Sequence, residues 1–136
     1  MLVEDNIVNQ MVARRFLERL GCDVTVAENG EEAVRCFTQS AFRLVLMDVQ
    51  MPIMDGYTAT RQIRSLEGTG TRIPIIALTA NAMTGQLEQC VEAGMDALLT
   101  KPLNAERLEE ALVRFGLLVS SGSSEGTPLL TNIRPT

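Results

Sequence analysis

Short apolar runs alternate with longer amphipathic stretches along this chain, and that alternation leaves few folds open. Leu44–Met47, Pro74–Leu78 and Ala97–Leu99 contain no polar side chain. Strands of this kind have both faces covered, as in a parallel sheet between helix layers. Met1–Val3 is a shorter run, and Asp23–Ala27 alternates and carries two valines, which suits a strand. Helical patterns lie between the runs. From Ile7 to Leu20, the residues Val8, Val12, Phe16 and Leu20 recur at steps of four, and Gly21 is a natural stop. Asn29 precedes Glu32 by three residues, a capping pair whose glutamate can reach back to the cap N–H, for a helix running to about Thr38. A third helix is predicted over Gly56 to Leu66. Leu87, Cys90, Val91 and Gly94 mark a face of a fourth, and Asn104 caps a fifth whose stripe is Leu108, Ala111, Leu112 and Phe115. Strand-then-helix repetition predicts an α/β fold with a parallel sheet and helices on both faces.

The chain's 136 residues suit one domain with length to spare, and 46% apolar residues suffice for a layered core. The domain is placed at 1–118, and the remainder, 119–136, reads as a flexible tail or linker because Ser120–Pro128 is rich in serine and glycine. A net charge of −5 with no basic cluster argues against a nucleic-acid partner. No run approaches a bilayer span and no signal sequence opens the chain, so membrane contact is not expected and a cytoplasmic location is. Cys22, Cys36 and Cys90 are odd in number and lack metal-ligand spacing, so they read as reduced thiols. Histidine is absent, which excludes Ser–His or Cys–His nucleophiles and a histidine-held metal.

Parallel strands place their carboxyl ends on one edge, where ligands of such sheets bind. Glu4 and Asp5 follow the first run, Asp48 ends the third, Thr79 follows the fourth, and Lys101, the sole lysine, follows the last. Singly, each has an ordinary explanation: an aspartate in a turn, a solvated acidic pair, a strand-end threonine, a surface lysine. All of them reaching one edge by accident is the weaker account. Crowded carboxylates repel unless a cation joins them, and Mg²⁺ takes oxygen ligands and bridges readily to phosphate. A carboxylate can attack phosphorus to give an acyl phosphate, with a lysine and a hydroxyl steadying the transferred group. Met51, Met54, Met83 and Met95 read as packing residues, and Glu109-Glu110 as a solvated helix face.

Val3-Glu4-Asp5-Asn6, Leu46–Pro52, Met54-Asp55-Gly56, Ala77-Leu78-Thr79-Ala80 and Lys101-Pro102 together resemble the receiver domain of two-component signalling proteins, over about Met1 to Leu117. Val8-Asn9-Gln10, Asn29-Gly30, Ile75–Met83 and Gly94-Met95-Asp96 look like receivers carried by hybrid sensor histidine kinases. The resemblance implies a flavodoxin-like (βα)5 three-layer sandwich with a central parallel sheet of order 2-1-3-4-5. It implies that Asp48 is the phosphoacceptor and that Thr79 and Lys101 bind phosphoryl oxygens. Mg²⁺ would be held by the Asp5 and Asp48 side chains, by the Gln50 backbone carbonyl and by Glu4 through water. The Lys101–Pro102 bond would be cis, and Gln50 and Asn81 would flank the acceptor and govern water access.

The function that this resemblance implies is that of a phosphorelay receiver, which takes a phosphoryl group from a phosphohistidine onto Asp48. Its chemistry would be limited to its own phosphorylation and slow autodephosphorylation, with no stand-alone kinase activity. The partners implied are a histidine kinase or histidine phosphotransfer domain, in trans or from a parent kinase that could be membrane-anchored; the receiver itself would be a monomer or weak dimer. Two departures from the pattern stand out. Leu98 occupies the place of an aromatic switch residue, which would mute output and favour relay. Only Met1-Leu2-Val3 precede the acidic pair, as in an excised fragment or an internal start. The alternative within the family is a degenerate receiver that only binds a partner. A phosphohydrolase would want an acid where Gln50 stands, and a flavin carrier would want a phosphate loop where the acidic Glu4-Asp5-Asn6 stands.

Overall fold

In the computed structural model, which describes residues 1–80, 84–117 and 131–132, the uninterrupted apolar runs become the central strands. In chain order the elements are β1 (Leu2–Val3), α1 (Ile7–Arg19), β2 (Val26–Ala27), α2 (Gly30–Gln39), β3 (Val45–Asp48), α3 (Gly56–Glu67), β4 (Ile75–Thr79), α4 (Thr84–Ala93), β5 (Ala97–Thr100), α5 (Ala105–Arg114) and β6 (Thr131–Asn132). The sheet order is β2-β1-β3-β4-β5-β6, parallel from β2 to β5. The five parallel strands therefore follow the flavodoxin-like order 2-1-3-4-5. β6 pairs antiparallel with β5, Leu98 opposite Thr131, a pairing that the serine- and glycine-rich composition of that region does not announce.

Successive side chains of each strand enter opposite core layers. Val3, Val45, Met47, Ile75, Ala77 and Leu98 join one cluster, which Ala33, Ala59, Ile63 and Cys90 cover from α2, α3 and α4. Leu2, Leu46, Ile76, Leu78, Ala97 and Leu99 join the other, which Ala13, Leu17, Leu108 and Leu112 cover from α1 and α5. Burial on both faces is what produced the unbroken apolar runs. Met51 and Met54 pack against the first cluster and Met95 is fully buried in it, whereas Met83 lies outside the described residues. Cys22 and Cys36 are half-buried, Cys90 is buried, and all three are free thiols.

The helix starts follow their cap residues. Asn6, Asn29, Asp55 and Asn104 each accept a backbone N–H from the first turn they precede, a contact worth about 1 kcal/mol. Glu32 reaches back as expected for a capping box, but its carboxylate takes the Glu28 N–H at 3.1 Å, one residue before the cap. α1 departs from the expected facing. Val8 is 62% and Val12 43% exposed, while Ala13 and Leu17 are buried. A stripe at steps of four advances about 40° per step, so between Val8 and Leu20 it winds through about 120° and leaves the core at its start.

At the amino ends of β4 and β5, charged side chains form a closed network. Arg64 donates to Asp96 (2.6 Å), to Glu67 (2.8 Å) and to the carbonyls of Gly94 (2.9 Å) and Ile73 (2.8 Å). Arg72 reaches the other oxygen of Asp96 at 2.9 Å, and Asp96 also accepts the Ile75 N–H at 3.0 Å. Among the described residues no helix is long and apolar enough to cross a membrane.

Candidate functional site

The parallel register brings the strand ends to one edge. Val3 lies opposite Met47, Asp48 opposite Leu78, and Thr79 opposite Thr100. Two backbone bonds carry the pairing past the strands: Glu4 N–H to Ala27 O at 3.0 Å and Lys101 N–H to Thr79 O at 2.7 Å. Glu4, Asp48, Thr79 and Lys101 are thus held by the sheet rather than by loops. The Lys101–Pro102 bond is cis. Lys101 Nζ sits 2.9 Å from Glu4 Oε1 and 3.0 Å from Asp48 Oδ2.

Asp5 stands beside this pair. Carboxylate oxygens of Glu4, Asp5 and Asp48 all lie within 4.8 Å of one another. Glu4 and Asp48 are 2% and 3% exposed, whereas Asp5 is exposed and marks the open side. Further bonds fix the carboxylates, Gln50 N–H donating to Asp48 Oδ1 at 3.1 Å and Asn6 N–H to Glu4 Oε2 at 3.1 Å, and the Gln10 side-chain amide donates to the Glu4 backbone carbonyl at 2.7 Å. α3 begins directly beneath β3. A Cβ on Gly56 would lie 2.2 Å from the Asp48 carbonyl oxygen, so the turn into α3 closes only around glycine. The connecting loop holds Ile53 at φ 71°, 77% exposed.

Three acids face one lysine, and burial and hydrogen bonding move Glu4 and Asp48 in opposite directions. Burial pushes the Asp48 carboxyl up to about 6, against the Gln50 N–H and Lys101, while the Glu4 charge pushes the same way as burial. Glu4 is also penalised by burial, yet Lys101 and the Asn6 N–H together hold it below the usual carboxylate range. Lys101 is raised, because Glu4 and Asp48 together outweigh the opposing effect of its burial. An oxygen-only donor set with an unbalanced double negative charge, buried on one side and open at Asp5, fits a small hard divalent cation.

The structure brings Glu4, Asp5, Asp48 and Lys101 into contact range, with the Gln50 backbone on the Asp48 carboxylate. Thr79 reaches the same edge and is 1% exposed, but its hydroxyl donates to Gln86 Oε1 on α4 at 2.5 Å. Gln86 has no signal in the sequence, since it is seven residues from Thr79 in a largely polar stretch. Asn81 lies outside the described residues. Leu98 is 4% exposed and packs in the cluster that includes Cys90, with Tyr57 and Leu87 against it.

Residues 1–113 match the family described as the response regulator receiver domain. A probable histidine kinase of Oryza sativa subsp. indica is 38% identical over 145 residues, covering 85% of this chain and 15% of that protein. The sensor protein GacS of Pseudomonas syringae pv. syringae is 40% identical over 128 residues, covering 92% of this chain and 14% of that protein. The chain thus spans about 15% of the length of such relatives. Among solved structures, the receiver domain of a sensor histidine kinase from Pseudomonas aeruginosa PAO1, with magnesium coordinated in its active-site cleft, superposes with a TM-score of 0.77 at 46% identity, over 84% of this chain and 93% of that one. A Saccharomyces cerevisiae co-crystal joins a histidine phosphotransfer protein to the receiver domain of its downstream regulator; it matches with a TM-score of 0.79 at 31% identity, over 85% of this chain and 86% of that one.

Proposed function

The chain belongs to the response regulator receiver family, and we propose that it takes a phosphoryl group from a phosphohistidine onto Asp48, with Mg²⁺, inside the phosphorelay of a hybrid sensor histidine kinase. One observation carries this assignment: Lys101 Nζ bridges Glu4 and Asp48 at 2.9 and 3.0 Å, within a triad of acids whose oxygens converge.

The Asp48 carboxylate is the nucleophile. It is ionised above its raised value of about 6, so the attacking oxygen carries its charge at neutral pH. A bond forms from an Asp48 Oδ to phosphorus as the phosphorus–nitrogen bond to the donor imidazole breaks, and the imidazole leaves with the bond's electron pair. Mg²⁺, when bound by Asp5, Asp48 and the Gln50 carbonyl with Glu4 behind them, supplies charge neutralisation on the phosphoryl oxygens. Lys101 exchanges an Asp48 oxygen for a phosphoryl oxygen while Glu4 keeps hold of its other side. Thr79 offers its hydroxyl to a second phosphoryl oxygen. These roles require every acid and the lysine at the edge, and all are there. A degenerate, binding-only receiver has no use for that set.

The chain has no histidine, so the donor is another chain or another part of a longer one. Ile7, Val8 and Met11 at the start of α1 are 69%, 62% and 66% exposed, and only the cap residue Asn6 separates the helix from the acidic pair. An apolar surface beside the acceptor suits docking of a protein donor, since water is excluded where the transfer occurs. Incubation with acetyl phosphate and Mg²⁺ tests the assignment: intact-protein mass spectrometry should show one added phosphoryl group, labile to hydroxylamine and absent with EDTA. No mass gain, or a gain that persists in Asp48→Asn, refutes it.

A further inference from the structure

We propose that Gln86 is a positioning residue that keeps the Thr79 hydroxyl on α4 until a phosphoryl group competes for it, so that the first turn of α4 registers the state of Asp48. The proposal rests on the assignment of Asp48 as phosphoacceptor and adds to it a named component that links the site to a helix.

The backbone of Thr79 has little freedom. It ends β4, its carbonyl accepts the Lys101 N–H at 2.7 Å, and it pairs with Thr100 of β5. What can change is the side-chain torsion, which has a few staggered settings. With the residue 1% exposed, the hydroxyl cannot exchange its partner for bulk water. Its partner is Gln86 Oε1, an oxygen that can only accept, so the threonine supplies the proton. A hydroxyl has one proton to give. A phosphoryl oxygen on Asp48 is a charged acceptor and attracts it more strongly than a neutral carboxamide.

Phosphorylation and the Gln86 bond are therefore mutually exclusive uses of one proton. Capture of the hydroxyl by the phosphoryl group releases Gln86, which sits in the first turn of α4 (Thr84–Ala93). Leu98, buried among Cys90, Met47 and Ala77, has no polar atom with which to follow the threonine. Among the described residues, the Thr79–Gln86 hydrogen bond is a polar connection from this edge to α4.

Beryllofluoride with Mg²⁺ serves as the phosphoryl stand-in, titrated against the parent protein, Gln86→Met and Gln86→Glu, with amide NMR as the readout. Gln86→Met keeps length and removes the acceptor. It should raise apparent beryllofluoride affinity about threefold, the scale of one neutral hydrogen bond. Gln86→Glu, a stronger acceptor, should lower it by at least as much. In a Thr79→Val background, Gln86→Met should have no effect, which a general loosening of α4 would not reproduce. The Gln86 and Leu87 amide resonances should move on beryllofluoride addition in the parent and lose most of that movement in Gln86→Met. An unchanged affinity in Gln86→Met, or an equal change in the Thr79→Val background, overturns the proposal. A parent protein that neither binds beryllofluoride nor gains a phosphoryl group refutes the assignment of Asp48 itself, and this proposal with it.

Discussion

Two charge clusters sit at opposite edges of the same sheet, and they are built on opposite terms. At the amino ends of β4 and β5, Arg64 and Arg72 face Glu67 and Asp96, two charges of each sign, and the carboxylate of Asp96 also accepts the Ile75 N–H. At the carboxyl ends, Glu4, Asp5 and Asp48 face Lys101 alone. The first cluster is neutral within itself and asks nothing of solvent or ligand. The second is two charges short of neutrality, and within it burial, with the Glu4 charge acting in the same sense, pushes Asp48 up to about 6. A balanced network holds strands and a helix together, whereas an unbalanced one stores a preference for a cation and a transferable group. That contrast explains why one edge of the molecule is structural and the other chemical.

The largest expected effect removes the nucleophile. Asp48→Asn should abolish phosphorylation from acetyl phosphate while the fold, read by circular dichroism, stays intact. Next comes the balanced edge. Asp96→Ala strands two guanidinium groups and the Ile75 N–H, and should destabilise by about 3 kcal/mol in urea unfolding. Below its midpoint the variant should still be phosphorylated at nearly the parent rate; a loss of phosphorylation in step with stability would show that the edges are not independent. Lys101→Met should slow phosphorylation about a hundredfold, yet bind Mg²⁺ more tightly by isothermal titration because the competing cation is gone. Met11→Glu should weaken transfer from a phosphorylated histidine-containing protein about tenfold, the scale of one lost apolar contact at an interface, and leave the acetyl phosphate rate unchanged.

The smallest effect probes the deficit directly. Asp48 has a folded value near 6 against an ordinary 3.8, so its contribution favours the fold below the ordinary value and is lost as pH rises through the folded one. Metal-free Asp48→Asn should therefore be more stable than the parent at neutral pH, by about 1 kcal/mol once screening at the open side is allowed for. The gain should shrink to nothing as the pH falls toward the ordinary carboxylate range. Glu4, held low, acts in the opposite sense: its contribution is present above the ordinary range and is lost in acid. Added Mg²⁺ should erase the advantage of the asparagine. An asparagine variant less stable than the metal-free parent at neutral pH would mean that burial does not penalise the Asp48 charge.

The strands and most helix starts were legible because their signals are local. Leu44–Met47 is apolar on both faces because both faces are covered, and Asn6, Asn29, Asp55 and Asn104 cap through bonds that span two or three residues. The site was legible because parallel strands order their ends without further information, so acids and a lysine far apart in the chain had to meet. The facing of α1 was not, because a step of four drifts around the helix and only packing decides which part of the stripe is covered. The Arg64–Asp96 network, the Thr79–Gln86 bond and the β5–β6 pairing depend on where side chains and strands end up across a turn or a sheet, and no periodicity records that.

Gly56 carries a consequence for how this molecule can vary. With 2.2 Å between a side-chain carbon there and the Asp48 carbonyl, α3 and β3 are fused at the backbone. A saturation library at position 56, selected for phosphorylation, should return glycine alone, while its neighbour Tyr57 accepts other bulky residues. Elsewhere in α3 the buried Ala59, Thr60 and Ile63 are constrained by side-chain packing, which can be re-made with other residues, whereas its first residue is constrained by the backbone of β3, which cannot.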